Sequence, residues 1–298
     1  MSGILMMSVG NSYGSLPINT VAPVVSGTAE TGQALSTTNG TWTGSPAPTF
    51  TYQWQRGTTN IGGATSASYA LQEADVGNTV RCVVTATNSS GAVSANSNNS
   101  NVVVLGIGTS YGGGYFAGQI STTANSVATH NIVIGPRSTA QASRQWKTSN
   151  TSTAGTSSTI DGPTNSSNMN NASHPAAQFC EGLTIGGFSD WYMPAKNEFE
   201  VCYFNLKPRT NSNQTSSGIN PNAVPARASN YTSGNPAQTS ASIFQDTSSE
   251  ALNGLYWTSS EVSGSYAWLQ NYLDGHQIDF YFTKTSQNPV RAIRRVPV

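Results

Sequence analysis

Eight side chains near the C-terminus could carry recognition chemistry: Tyr266, Gln270, Tyr272, Asp274, His276, Asp279, Tyr281 and Thr283. They recur mostly at every second position, and on a strand-rich meander alternate residues share one face. Tyr gives broad, stiff contact area at low entropy cost, while the Ser and Asn between them adapt their hydrogen bonds. That chemistry is ligand binding at an exposed face. Trp257, Trp268, Val290, Ala292 and Ile293 read as the frame, with Trp268 and Ile293 expected beneath the binding face.

Other chemistries find little support. Glu198, Glu261, Arg294 and Arg295 have the types of acid–base groups, but no nucleophile is spaced beside them. His130, His174 and His276 are too scattered for a zinc site, and the first and second read as surface or capping residues. Calcium needs roughly six oxygens, several from carboxylates, and the segment offers only Asn271 and Asp274. Gly106, Gly108 and Gly112 superficially fit a dinucleotide turn, but the spacing is off by one and "GGYFAGQI" does not form a helix. Cys82, Cys180 and Cys202 are an odd set without CxxC, so they are expected as buried thiols. The expectation is a binder and not an enzyme, with no metal and no cofactor.

The elements that position these residues fit two domains in 298 residues. Only 9% of residues are charged, against roughly 25% in average soluble proteins. Thirteen basic and thirteen acidic residues cancel, which argues against nucleic acid or an anionic membrane as partner. No apolar run reaches the roughly 18 residues of a membrane span. An uncharged polar surface of this kind suits extracellular and virion adhesins. Residues 1–18 read as an apolar leader, with Ile4, Leu5, Met6 and Met7 expected to be buried against a partner or in a symmetric oligomer. Residues 19–105 show short alternating strands: "TYQWQRG" places Trp54 mid-strand, and Val80, Cys82, Val84 and Ala86 alternate inward. Cys82 is expected to face Trp54 across the core.

Residues 106–298 form the second domain. Gly112–Gly114 should open a hairpin by tight backbone approach. Ala176, Phe179, Cys180 and Leu183 make one helical face opened by Pro175, and Phe199, Cys202, Tyr203 and Leu206 make another after Pro194. Glu198 and Glu200 fall in that helix's early turns, where the dipole favours them. Residues 148–171 and 207–250 read as polar loops.

The first domain's order of "GTWTG", "YQWQR", "ATSASY", "DVGNTVRC" and "VTATN" resembles the immunoglobulin-like repeats of bacteria and phages. It departs from antibody domains, because no Cys lies near Leu35 and Val80 replaces the corner tyrosine. The resemblance implies a spacer. In the second domain, Gly186, Gly187, Asp190, Trp191, Pro194 and Glu198 are followed by Trp257, Ser259, Ser260 and Glu261. Ala267, Trp268 and Gly275 come next, and then Val290, Arg291 and Arg294. That order resembles a bacterial and phage C-type-lectin-like family whose fold also serves phage tropism determinants and diversity-generating-retroelement targets.

The resemblance implies a mainly β chain: an immunoglobulin-like β-sandwich followed by an α+β C-type-lectin-like domain. It places the ligand-binding face between the Trp257 box and the Arg291 box. The function so implied is a phage receptor-binding protein, a tail-fibre or tail-tip adhesin, made in the host cytoplasm and exposed on the virion. Its partners would be a host-surface glycan or protein receptor, and other virion proteins through residues 1–18. It would be a homo-oligomer, with a trimer favoured. The alternative is a capsid decoration or head-fibre protein with weak glycan adhesion. Formylglycine-generating enzymes share the lectin-like fold, but Cys180 and Cys202 sit on apolar helix faces and not in a cleft.

Overall fold

The computed structural model describes residues 14–298, and the chain divides into two compact units, Met1–Gly106 and Ile107–Val298. The expectations attached to Ile4, Leu5, Met6 and Met7 lie outside the described residues. The mainly β expectation holds: a sandwich is followed by an α+β unit.

In the first unit a four-stranded sheet runs Thr59–Asn60, Thr49–Arg56, Val80–Asn88, Gly91–Asn96, and a three-stranded sheet runs Val25–Ser26, Ala34–Thr37, Ser68–Ala70. Strict alternation puts Val80, Cys82, Val84 and Ala86 inward without solvent contact, around Trp54, Leu35 and Tyr69. Trp54 and Cys82 are direct partners on neighbouring strands of one sheet. They do not meet across the core, because both point inward from the same sheet. The indole Trp54 Nε1–H donates to the Ser66 carbonyl at 2.8 Å, and the ring lies 5.8 Å from Tyr69. Tyr69 Oη donates to the buried Asp75 carboxylate at 2.9 Å, and Asp75 also pairs with Arg56. The Trp, Arg, Tyr and Asp of the sequence pattern are thus one connected brace. Residues Ser15–Ile18, read as leader, belong to the strand Ser15–Val21, which pairs with Thr41–Ser45. The sandwich therefore begins before residue 19.

In the second unit the helix Lys196–Leu206 is the centre. One five-stranded sheet contains Ser110–Tyr111, Gly114–Ile120, His130–Ile134 and Ile293–Pro297 in that order, with Ala223–Val224 also paired to Gly114–Ile120. A three-stranded sheet of Leu255–Glu261, Ala267–Asn271 and Gln277–Ile278 lies on the helix as well. Ala117, Ile120, Ile132, Phe199, Val201, Cys202, Tyr256 and Tyr272 share one core between them. A second core of Trp146, Trp191, Trp257, Leu269 and Val290 is lined by the Pro175–Glu181 helix and by the ribbon of Gln141–Gln145 with Gln287–Arg291. The predicted hairpin opens at Gly112 and Gly113, both at positive φ; a Cβ on Gly113 would sit 2.9 Å from the Ile185 carbonyl. All three cysteines are free and buried. The expected loop 148–171 contains a helix, Gly162–Asn168, with Asp161 accepting from the Thr164 N–H and Pro163 in its first turn. Its apolar content is low, so periodicity did not reveal it.

Glu198 and Glu200 are fully buried. Their partners, and not the helix dipole alone, carry the charge. Glu198 accepts from the Ala195 N–H at 2.7 Å, from Tyr192 Oη and from Arg295. Glu200 takes Arg227, Tyr231 and Asn220.

Candidate functional site

The site begins with the register of the three-stranded sheet. Trp257 pairs with Leu269 and Leu269 with Ile278, and all three belong to the second core. Alternation then turns Tyr256, Gln270 and Gln277 to the opposite face, under the central helix. That face is covered, and the consequence is a correction. Gln270 and Tyr272, expected outside, are buried. Tyr272 has no solvent contact; its ring meets Phe199, Tyr203 and Tyr256 at 5.2–5.6 Å, and its hydroxyl donates to the Phe199 carbonyl at 3.2 Å. Tyr256, Gln270 and Gln277 share one face, but the sheet has no open face at these positions. Tyr and Gln carry enough apolar surface to serve beneath a helix.

Residues 272–274 form a turn that ends the alternation, and Gly275 lies against the Tyr203 ring, where a Cβ would come within 2.3 Å. Asp274 and His276 belong to this turn: Asp274 Oδ1 accepts the His276 N–H at 3.0 Å, and the Asp274 carbonyl accepts the Gln214 N–H at 2.7 Å. They stand at one end of the strand Ala267–Asn271. The other candidates gather towards its opposite end.

There, Tyr266 bridges to Thr283, and its carbonyl accepts the Val262 and Ser263 N–H groups at 3.0 and 3.1 Å. Residues 279–282 bulge between Ile278 and this bridge. Phe280 and Tyr281 are 69% and 67% exposed. Phe282 turns back onto the second core, and Tyr281 stacks edge-on against it at 4.8 Å. One aromatic anchors the bulge while two face solvent. Trp268, expected as buried frame, is half-exposed, and the Lys196 ammonium sits 4.0 Å over its ring. Burial lowers the Lys196 pKa, while Glu200 and Asp279 oppose that shift. Thus Tyr266, Asp279, Tyr281 and Thr283 come together with Trp268, Lys196 and Phe280; Asp274 and His276 stand apart. Alternation could not select Lys196, because it reaches the tip from a helix 72 residues before Trp268. Phe280 is apolar and so has no place in a series of polar residues.

The scaffold behind the tip is charged and paired. Glu261 of the Trp257 box accepts from Thr153 N–H, from Thr156 Oγ1 and from the Lys284 ammonium. Lys147 Nζ donates to the Thr151 and Ser152 carbonyls and to Thr153 Oγ1 at 3.2, 2.8 and 2.9 Å; Lys284 Nζ reaches the Thr151 carbonyl as well. Two buried ammonium groups therefore gather the carbonyl, hydroxyl and carboxylate oxygens that tie down the 148–158 loop. Asp190 pairs with Arg294 through two bonds of 2.7 and 2.9 Å, and Glu250 pairs with Arg291. Among the described residues, no cluster of three or more His, Cys, Asp or Glu could hold a metal, and no helix is long and apolar enough to cross a membrane.

His174, expected as a surface or capping residue, stands at the N-cap of the Pro175–Glu181 helix without a side-chain capping bond and is buried in this network. Thr153 Oγ1 accepts from Lys147, so its hydroxyl hydrogen is directed to His174 Nε2 at 2.8 Å, and Nδ1–H donates to Asn171 Oδ1 at 2.9 Å. A neutral ring satisfies both bonds. Burial, and then the Lys147 and Lys284 charges, lower its pKa from 6.5 to about 4. Between those values the unfolded chain binds the proton that the folded chain refuses, so stability falls as pH drops from 6.5 to about 4. The loss is about 3 kcal/mol at most. Urea midpoints measured from pH 7 to 4 should show this slope in the parent chain and a shallower one in His174→Gln; equal slopes would refute the assignment.

No protein-family model matches the sequence, and no curated protein matches it. Among solved structures, a fimbrial protein from Bacteroides ovatus ATCC 8483 aligns with 92% of this chain and 70% of its own, at 9% identity and a TM-score of 0.36. A likeness at that level carries no argument about fold or function.

Proposed function

We propose that the chain is a phage virion adhesin that recognises the host cell surface through the tip of its second unit. The observation that carries this reading is the anchored bulge of residues 279–282, which presents Phe280 and Tyr281 to solvent beside Tyr266, Trp268 and Lys196. Exposed large aromatics held on a rigid frame are costly unless they meet a partner. The sequence patterns shared with phage and bacterial lectin-like proteins support the same reading. The sandwich serves as a spacer. Attachment to other virion proteins, and assembly into a homo-oligomer, fall to the segment before Ser15, because Ser15–Ile18 are already committed to the sandwich. The receptor class is a host-surface glycan or protein.

Soluble chain added in excess to host cells should reduce adsorption of the particle that carries it, in a saturable manner. Unchanged adsorption at saturating chain would count against receptor binding.

A further inference from the structure

A cleft lies at the far end of the Gln141–Gln145/Gln287–Arg291 ribbon from the tip, roughly 13 Å along the strand from Gln145. Its volume is about 730 Å³, within the range that holds small ligands. Its floor is Glu250, buried, whose Oε2 accepts the Arg137 N–H at 2.7 Å and Arg291 Nη2 at 2.5 Å. Among the described residues Glu250 Oε1 has no hydrogen-bond partner, and it is not sealed from solvent. Gln141 gives its Oε1 to Tyr256 Oη and Arg291 Nη1, at 3.1 and 3.3 Å, which leaves its amide NH₂ to donate. Ser138, Ser143 and Ser249 line the walls, and among the described residues their hydroxyls have no hydrogen-bond partner. Arg137 is exposed at the rim, and among the described residues its guanidinium makes no hydrogen bond or ion pair.

The charges decide the ligand. Arg291 cancels Glu250, so the Arg137 guanidinium sets the sign of the cleft. Its planar fork matches a carboxylate, while three hydroxyls, one amide donor and one carboxylate oxygen match a ring bearing several hydroxyls. Among the described residues no aromatic side chain lines the cleft. We propose that it binds an acidic saccharide unit, with the sugar carboxylate on Arg137 and the ring hydroxyls on Ser138, Ser143, Ser249, Gln141 and Glu250 Oε1. None of these residues belongs to the tip.

The test is ligand-observed NMR titration of the full chain with a glucuronate-containing disaccharide, a galacturonate disaccharide and N-acetylneuraminic acid, against cellobiose and inorganic phosphate. At least one acidic sugar should bind saturably, with cellobiose weaker by about tenfold or more. Arg137→Gln should lose that preference and Ser249→Trp should abolish binding, with melting unchanged in both, since both positions are exposed. Tyr281→Ala should bind the sugar like the parent, which separates this site from the tip. Three outcomes would overturn the proposal: no acidic sugar binding to the parent, phosphate binding as well as the sugars, or Arg137→Gln binding them equally.

Discussion

Lys284→Met is expected to lower the stability of the second unit by about 3–5 kcal/mol, a fall in melting temperature of roughly 10 °C. Lys284 is fully buried, and its ammonium is the cation beside Glu261. Burial lowers the Lys284 pKa, Glu261 opposes that shift, and the neighbouring Lys147 charge adds to it. Removing the ammonium leaves the Glu261 carboxylate 9% exposed, with only Thr153 N–H and Thr156 Oγ1 to satisfy it. An unpaired buried charge costs far more than the pair contributes. The double variant Lys284→Met/Glu261→Gln should therefore recover part of the loss, since it removes the orphaned charge. Thermal melts of the two variants check this. A single variant that melts like the parent, or a double variant worse than the sum of its parts, contradicts the account of the loop.

Tyr272→Ala should cost a comparable amount, about 3–5 kcal/mol, because it empties a ring-sized space among Phe199, Tyr203 and Tyr256. Tyr272→Phe keeps the ring and loses one hydrogen bond to the Phe199 carbonyl, for about 1 kcal/mol. Denaturant midpoints separate the two. A parent-like midpoint for Tyr272→Ala would return this residue to the surface, where alternation alone had placed it.

Tyr272 also shows how far the sequence reaches. The strands and their parity could be read, since Trp257 and Leu269 do face one core and Val80, Cys82, Val84 and Ala86 the other unit's core. The helices Pro175–Glu181 and Lys196–Leu206 could be read from apolar spacing after Pro175 and Pro194. Parity says which residues share a face but not what covers it, and the Lys196–Leu206 helix covers the polar face of the three-stranded sheet. The turn at 272–274 then breaks the alternation, so His276 and Asp279 no longer belong to the same series. The ion pairs Asp190–Arg294 and Glu198–Arg295 join motifs about a hundred residues apart, which spacing alone cannot join. The bulge is the clearest gap. Nothing local distinguishes Phe280 and Tyr281, which face water, from Phe282, which is partly buried against the second core; the difference comes from the core behind them.

The tip is tested most directly by the double variant Phe280→Ala/Tyr281→Ala, with adsorption and melting measured on the same preparation. Central aromatic anchors contribute roughly 2 kcal/mol or more each to an interface, so adsorption to host cells should fall by about a hundredfold or more. Exposed positions away from caps and core cost about half a kcal/mol or less, so the melting temperature should stay within about 2 °C of the parent. Parent-like adsorption by the folded double variant would contradict the assignment of this bulge as the receptor-binding tip.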